Sequence, residues 1–253
     1  MNTTDFAKDI ALAAGKIVKN YYGKAKSFDK SGSMNFVTEA DLAADKFIKD
    51  AIKKQFPTHQ ILSEEDEIHE LKNVSDLWIL DPLDGTTNFK YQIPFFAVSI
   101  AYLKNGKVFS GAVYDPVYEE LFWAERDKGA YLNQKKLLID NSISLNKTVI
   151  GTDGSYETGT FNEKLNILEK LNKYTGTVRI LGSAVLDMTY VAVGRINLYF
   201  HDSLEAWDMA AASLIVEEAG GIVKQVNGKP LDLFEKNAVA TSPKLLKEFL
   251  KLQ

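Results

Sequence analysis

The feature that most constrains this chain is a short apolar run that leads directly into two aspartates. Residues 77–80 read LWIL, the composition of a buried strand, and the chain continues as DPLDG. Pro82 fixes its own φ angle and stiffens the turn, and Gly85 lets the backbone approach a ligand closely. The run therefore predicts a buried strand that delivers Asp81 and Asp84 together at its end.

An anion site is predicted beside these two carboxylates. Thr86 and Thr87 begin a predicted helix, and free N–H groups at a helix N-terminus bind anions. A hard cation explains the combination, because Mg²⁺ takes oxygen ligands and commonly links carboxylates to a substrate phosphate. A plain turn with a helix cap is the alternative interpretation of DPLDG.

Other acidic residues also stand at the ends of predicted elements. They are Glu64 and Glu65 after a strand, and Asp41 and Asp208 at the starts of helices. Helix capping alone can explain Asp41 and Asp208. It does not readily explain why these acids gather at strand C-termini and helix N-termini, where α/β folds build their sites.

The hydrophobic periodicity changes near residue 141. Before it, helical spacing at 6–21 and 41–56 is followed by strand-like runs at 60–62, 77–80, 95–103, 107–114 and 120–124, with Asn105-Gly106 as a hairpin turn. After it, strands at 148–151, 178–181, 196–200 and 222–225 alternate with helices at 163–171, 183–193 and 208–219. We predict an N-terminal α+β domain, residues 1–141, with an antiparallel sheet and most metal ligands. A C-terminal α/β domain, residues 142–253, is predicted to complete the site.

Composition excludes several classes of protein. The chain is 45% hydrophobic and 25% charged, as an ordered globular protein is, and it has no cysteine for disulfides, thiolate zinc sites, iron–sulfur clusters or a thiol nucleophile. The net charge of −4 argues against a general nucleic-acid binder. It does not argue against a phosphorylated substrate, because a bound cation inverts local charge.

We expect a soluble, cytoplasmic protein with no membrane anchor. Charges at Asp5, Lys8 and Asp9 interrupt any signal-peptide pattern, and the longest apolar stretch, 95–103, is about half of the roughly 20 residues that a spanning helix needs. The sequence contains no HExxH, P-loop, GxSxG or glycine-rich dinucleotide motif. Of the three histidines, His59 and His69 are predicted at the surface, and His201 ends a strand and either faces the site or stays structural.

Four segments of the chain resemble the motifs of inositol monophosphatases. Residues 78–89, WILDPLDGTTNF, resemble the first motif, and WDMAAA at 207–212, with EEAGG at 217–221, resembles the second. NFVTEAD at 35–41 and SEE at 63–65 fall where the family has its remaining motifs. The resemblance spans essentially the whole chain in the right order and spacing. It implies a layered αβαβα fold, Mg²⁺-dependent hydrolysis of phosphate monoesters, lithium sensitivity and a homodimer.

The same resemblance implies roles for matching residues. The implied ligands of two to three Mg²⁺ ions per subunit are Glu64, Asp81, the backbone carbonyl of Leu83, Asp84 and Asp208. The Thr86 hydroxyl, oriented by Asp41, would position the attacking water together with Glu64. Lys30 matches a lysine in a mobile loop that closes over the metals in this family.

Substrate contacts follow from the resemblance as well. The implied contacts are Asp84, Gly85, Thr86, Gly182, Ser183, Ala184 and His201, with phosphate held by the N–H groups of Gly85 and Thr86. His201 stands where inositol monophosphatases commonly carry a glutamate that binds inositol hydroxyls. A carboxylate accepts from two hydroxyls, whereas neutral imidazole has one donor and one acceptor. The change argues against strict inositol specificity and leaves the metal chemistry untouched.

Three functions are therefore open at the level of sequence. The first is a Mg²⁺-dependent phosphatase of inositol 1-phosphate. The second keeps the chemistry but takes fructose 1,6-bisphosphate, histidinol phosphate or the 2′-phosphate of NADP. The third is a non-catalytic regulatory protein that kept the fold. The presence of all the implied carboxylate ligands favours an enzyme.

Overall fold

The computed structural model describes residues 2–29, 36–66, 74–154 and 162–252. Its helices are α1 (Thr3–Tyr21), α2 (Glu39–Gln55), α3 (Thr86–Lys90), α4 (Asn162–Asn172), α5 (Ala184–Ala192), α6 (Ala206–Glu218) and α7 (Pro243–Leu250). Its strands are β1 (Ser27–Asp29), β2 (Phe36–Thr38), β3 (Gln60–Ser63), β4 (Asp76–Asp84), β5 (Ala97–Lys104), β6 (Lys107–Asp115), β7 (Glu120–Glu125), β8 (Gly129–Leu132), β9 (Lys135–Lys136), β10 (Ile150–Gly151), β11 (Val178–Arg179), β12 (Leu198–His201), β13 (Ile222–Lys224) and β14 (Ala238–Thr241).

The larger sheet has seven strands in the order β3-β4-β5-β6-β7-β8-β9. β3 and β4 are parallel, and every later pair in this sheet is antiparallel. The smaller sheet has five strands in the order β11-β10-β12-β14-β13. Its first three strands are parallel, and β14 runs antiparallel to both of its neighbours. A separate antiparallel ribbon pairs β1 with β2.

Helices cover both faces of each sheet, which confirms the predicted layered αβαβα fold. α1 and α2 pack on one face of the larger sheet, where Phe6, Ile48 and Trp78 share a buried cluster. α5 and α6 fill the space between the two sheets. α4 and α7 cover the outer face of the smaller sheet, with Leu171 and Phe249 in its core.

The burial of each helix follows from the arrangement of its side chains. α1 buries apolar residues three or four positions apart, as a helix on one face of a sheet does. α6 buries residues 209–216 without a break, because sheets enclose it on both sides. None of the described helices combines the length and apolarity that a membrane crossing requires.

The structure corrects several predicted element ends. The strand at 77–80 was expected to end before Asp81, but β4 continues to Asp84 and shifts its register against β5 between Asp81 and Asp84. An irregularity of this kind tolerates Pro82, which has no N–H to donate to the ladder. The predicted strands at 148–151 and 178–181 shorten to two residues each, and the sequence-based assignment missed β1, β2, β8, β9, β14 and α7. After β9 the chain leaves the larger sheet, and it enters the smaller sheet at β10. The division into two domains near residue 141 stays a prediction.

Candidate metal-binding active site

Three carboxylates converge where β4 meets the first turn of α6. Asp81 and Asp84 come from β4 and Asp208 comes from α6, and one carboxylate oxygen of each lies within 4.8 Å of the others. Asp81 is 1% exposed and Asp84 is 8% exposed. An all-oxygen donor set of this charge, with Asp208 partly exposed, suits a hard divalent cation such as Mg²⁺. The predicted carboxylates are thus brought together across 127 residues of chain, from Asp81 to Asp208.

Hydrogen bonds from the surrounding protein orient each member of this trio. The N–H of Leu83 donates to Asp81 Oδ1 over 3.0 Å. The N–H of Val185 donates to Asp84 Oδ2 over 3.0 Å, and the Ser183 hydroxyl donates to the same oxygen. Asp208 Oδ2 accepts from the N–H of Glu205 at 2.8 Å. One oxygen of each carboxylate is anchored in this way, which fixes the direction of the other.

Helix capping accounts for part of this arrangement. Asp208 is the third residue of α6 rather than its first, and it forms a capping box with Glu205 at the N-cap. Asp41 holds the equivalent place in α2, with Thr38 at the N-cap. The capping interpretation and the site interpretation are therefore compatible, because capping uses Asp208 Oδ2 and orients the remaining oxygen.

The electrostatics of the trio favour a bound cation. Burial raises the pKa of Asp84 to about 7, and its hydrogen bonds from Ser183 and Val185 only partly oppose this effect. Burial, followed by repulsion from neighbouring carboxylates, raises the pKa values of Asp81 and Asp208 well above their usual range. A cation among these oxygens stabilises their ionised forms and reverses the shifts. The residues present therefore fit the metal that the sequence predicted.

Thr86 and Asp41 form the pair that the sequence predicted beside the metal ligands. The Thr86 hydroxyl oxygen lies 3.1 Å from Asp41 Oδ1 and 2.9 Å from the carbonyl oxygen of Leu83. It has one proton, so it donates to one of them at a time. The N–H of Thr38 donates to Asp41 Oδ2 over 2.9 Å, and burial raises the pKa of Asp41 to about 6. This buried pair holds the Thr86 oxygen in a fixed place.

Glu64 lies beside the trio but is not one of its converging members. It follows β3, and its N–H donates to the carbonyl oxygen of Leu80 over 3.2 Å, which aligns the ends of β3 and β4. Its charge raises the pKa values of Asp81, Asp84 and Asp208. The structure thus brings Glu64 within electrostatic reach of the site, and its role as a ligand stays a prediction.

Gly85 connects the carboxylates to α3 in a conformation that favours glycine. Its φ angle is +86°, and a Cβ here would lie 3.0 Å from the carbonyl oxygen of Phe95 and 3.3 Å from that of Gly182. It is the N-cap of α3 and has no capping side chain to cover the first N–H groups. The predicted phosphate-binding backbone therefore follows Asp84 directly.

A cavity of about 270 Å³ opens next to these groups. Its lining includes the predicted residues Asp84, Gly85, Gly182, Ala184, His201 and Asp208. A larger cavity of about 600 Å³ lies elsewhere, between residues 225–234 and the strands around Leu77 and Leu103. Among the described residues, the trio of acids lies at the smaller cavity, so we assign the site there.

Ser183 lies behind Asp84, and its predicted role as a substrate contact stays a prediction. It is 1% exposed, its hydroxyl donates to Asp84, and its oxygen accepts from the N–H of Leu186 at the start of α5. Ser183 therefore acts on a metal-ligand candidate from behind. Its neighbours Gly182 and Ala184 line the cavity, as the sequence predicted.

His201 lines the cavity, but both of its ring nitrogens already have partners within the protein. Nδ1 lies 3.0 Å from the backbone nitrogen of Ser203, and Nε2 lies 2.9 Å from the carbonyl oxygen of Gly154 and 3.0 Å from Lys164 Nζ. Burial, and then the charge of Lys164, lower the pKa of His201. The ring forms part of the pocket wall, and the predicted hydrogen bonds to substrate hydroxyls would have to displace these partners.

Sequence reasoning assigned no role to two polar residues at this site. Asn88 donates to the carbonyl oxygens of Phe95 at 2.8 Å and of Leu181 at 2.7 Å, which ties α3 to the turn at Gly182. Asp153 lines the cavity just beyond β10. An acid at the end of a predicted strand is the signal that identified Asp81, and Asp153 lies two residues beyond the predicted strand at 148–151. Lys30 lies outside the described residues.

Comparison with known proteins identifies the family. The family model described as "Inositol monophosphatase family" matches residues 1–252. A fructose-1,6-bisphosphatase/inositol-1-monophosphatase of Thermotoga maritima is 35% identical over 100% of this chain and 96% of its own length. The Nus factor SuhB of Escherichia coli K12 is 40% identical over 95% of this chain and 91% of its own length.

A solved structure agrees with this assignment. The inositol monophosphatase structure from Thermotoga maritima superposes with a TM-score of 0.89 at 34% identity, covering 98% of this chain and 95% of that one. Members of the family are metal-dependent phosphatases, and the acidic trio fits that chemistry. By matched length, identity and fold, the chain belongs to the inositol monophosphatase family.

Proposed function

We propose that this protein is a Mg²⁺-dependent phosphate monoester hydrolase that acts on inositol 1-phosphate. The observation that carries the proposal is the convergence of Asp81, Asp84 and Asp208 within 4.8 Å, directly before the glycine-capped turn at Gly85. Phosphoryl transfer requires neutralised charge on the phosphate oxygens and an in-line nucleophile. Mg²⁺ held by these carboxylates supplies charge neutralisation and a more acidic water.

The chain's own residues then bind and orient the reactants. The N–H groups of Gly85 and Thr86 donate to the phosphate oxygens. When the Thr86 hydroxyl donates to Asp41, its lone pairs accept a hydrogen bond from the attacking water and hold that water in line. Glu64 accepts a second hydrogen bond from the same water. No covalent intermediate is needed, because water attacks phosphorus directly and the alcohol leaves.

Substrate choice is the finer part of this proposal. The name of the Thermotoga maritima relative covers both fructose 1,6-bisphosphate and inositol 1-phosphate, which supports a range of sugar and polyol phosphates. His201 supports the same conclusion, since its nitrogens already contact the backbone and Lys164 and therefore impose little on substrate hydroxyls. Fructose 1,6-bisphosphate, histidinol phosphate and NADP are the alternative substrates.

A phosphate-release assay across these four esters tests the proposal. Each ester is incubated with the purified protein in the presence of Mg²⁺ and again with a chelator. We expect Mg²⁺-dependent release, with the highest kcat/KM identifying the preferred ester. If none of the four esters released phosphate, the proposed enzymatic function would be contradicted.

A non-catalytic binding role is the second candidate function. The observation that favours it is the name Nus factor carried by relatives that are 37–40% identical. This role predicts that Mg²⁺ binds to the acidic trio without phosphate release from any ester. The same assay therefore distinguishes the two functions.

Assembly belongs to the proposal as well. We expect a homodimer with two to three Mg²⁺ ions per subunit, inhibited by lithium, as the resemblance implies. Light scattering, calorimetric Mg²⁺ titration and an assay with added Li⁺ measure these three properties.

A further inference from the structure

Asp187 is a buried acid that the proposed reaction does not use. It lies on α5, is 0% exposed, and neither of its carboxyl oxygens receives a hydrogen bond from an N–H or O–H group of the described residues. The carboxyl group of Asp153 lies within hydrogen-bonding range of it. A buried carboxylate without a donor is costly, so its environment requires an explanation.

Asp153 has the hydrogen-bond partners of an ionised carboxylate. Oδ1 accepts from the N–H of Gly182 at 2.8 Å, and Oδ2 accepts from the Tyr199 hydroxyl at 3.1 Å. The ammonium group of Lys164 donates to the backbone carbonyl of Asp153 at 3.0 Å, which places a positive charge nearby. Both carboxyl oxygens of Asp153 therefore accept hydrogen bonds, which makes Asp153 the acceptor of the pair.

Asp187 is the member of the pair whose surroundings favour a proton. Two adjacent buried carboxyl groups do not both ionise, because their charges repel in a medium of low dielectric constant. Burial first, and then the charge of Asp153, raise the pKa of Asp187 well above its usual range. A protonated Asp187 has one O–H to donate, and Asp153 is the acceptor that faces it.

The pair is connected to the metal-ligand candidates through one turn of chain. Asp153 holds the N–H of Gly182, and Ser183 follows directly and donates to Asp84. The N–H of Asp187 also donates to the backbone carbonyl of Ser183 over 2.9 Å. Asp187 thus contacts this turn from both sides, through its own backbone and through Asp153.

We propose that Asp187 is a positioning residue whose carboxyl O–H donates to Asp153, and that the pair fixes the turn at Gly182 and Ser183 that orients Asp84. The inference rests on the proposed function only where activity is measured. Hydrogen-bond partners behind metal ligands commonly change metal affinity or activity by about 10-fold to 100-fold when removed.

Two substitutions of similar size separate this role from simple packing. Asp187→Asn keeps an N–H that donates to Asp153, and Asp187→Leu keeps the volume but has no donor. Calorimetric Mg²⁺ titration should give near wild-type affinity for Asp187→Asn and a loss of about tenfold or more for Asp187→Leu. kcat should fall in parallel, with a smaller change in KM. Equal Mg²⁺ affinities for the two variants would overturn the proposal.

Asp115 provides a matched control. It is also 0% exposed with one carboxyl oxygen that lacks a donor, but its charged neighbours are Glu120 and Arg195 rather than the acidic trio. Asp115→Leu should lower thermal stability and leave Mg²⁺ affinity unchanged. A similar loss of Mg²⁺ affinity in Asp115→Leu would show that the Asp187→Leu effect is general destabilisation, and would overturn the proposal.

Infrared spectroscopy tests the shared proton directly and does not depend on Asp187→Leu folding. In Mg²⁺-loaded protein, the wild type minus Asp187→Asn difference spectrum should contain the C=O band of a protonated carboxylic acid. Its absence would overturn the proposal. Metal titration and spectroscopy need no turnover, so both can be measured even if the protein is not a phosphatase. Failure of the role proposed for Asp187 can therefore be distinguished from failure of the proposed function.

Discussion

Ser183→Ala removes two hydrogen bonds that have different consequences. The Ser183 oxygen accepts from the N–H of Leu186 and so caps α5, and the Ser183 hydroxyl donates to Asp84. Loss of the cap affects the stability of the whole fold. Loss of the bond to Asp84 affects only the metal site. The substitution should therefore produce two effects that separate experiments measure.

The structure sets the size of both effects. Replacing a serine N-cap by alanine costs about 1 kcal/mol, which lowers Tm by about 2–4 °C in a chain of this size. Removing a partner of a metal ligand weakens metal binding by about 10-fold to 100-fold. We expect the lower end of that range, because the N–H of Val185 continues to donate to Asp84 Oδ2 at 3.0 Å.

Mg²⁺ titration calorimetry and thermal melts of the metal-free protein measure the two effects. Ser183→Thr is the control, since threonine keeps the hydroxyl group and also caps helices. Mg²⁺ affinity should fall about tenfold in Ser183→Ala and stay near wild type in Ser183→Thr. An unchanged affinity in Ser183→Ala would refute the reasoning that Ser183 orients Asp84.

Further predictions concern the phosphate turn, the attacking water and pH. Gly85→Ala should destabilise the fold by about 1–2 kcal/mol in urea unfolding, because a φ of +86° strains an alanine. The same substitution should raise KM, and an unaltered KM would contradict a phosphate-binding turn at Gly85. Thr86→Val should lower kcat by about 100-fold with little change in KM, whereas Thr86→Ser should retain most activity, as steady-state kinetics can check. Mg²⁺ affinity should fall as pH drops below about 7, since Asp84 must ionise to bind. In the metal-free fold Asp84 keeps its proton up to about pH 7, whereas the unfolded chain releases it at about pH 4. The stability of the metal-free fold should therefore decrease as pH rises from about 4 to about 7. In thermal melts, added Mg²⁺ should reduce that loss of stability.

Local patterns in the sequence predict most helices and strands and bring Asp81 and Asp84 together, whereas the layered αβαβα fold was implied by the family resemblance. Alternating and helical spacings identify most elements, and the motif that contains Asp81 and Asp84 lies on one strand. Asp208 required the family resemblance, since no pattern in the sequence brings residue 208 next to residue 81. The end of β4 was misplaced because a proline after an apolar run usually ends a strand, whereas here the register shift accommodates it.

The surroundings of the trio depend on tertiary contacts that a single sequence does not encode in any local pattern. Asp187 lies within an apolar helix, and only the packing of α5 brings it to Asp153. The position of His201 relative to Asp208 was readable, but its bonds to Ser203 and Gly154 depend on the course of two loops. Its predicted contact with substrate stays a prediction.

The rate of phosphate release from inositol 1-phosphate, compared between the wild type and Asp84→Asn at saturating Mg²⁺, tests the proposed chemistry most directly. Asp84 is one of three converging carboxylates, and the amide removes a negative charge while keeping the size of the side chain. We predict Mg²⁺-dependent release by the wild type and loss of most of that activity in Asp84→Asn. Near wild-type turnover by Asp84→Asn would contradict a metal-dependent reaction at this site.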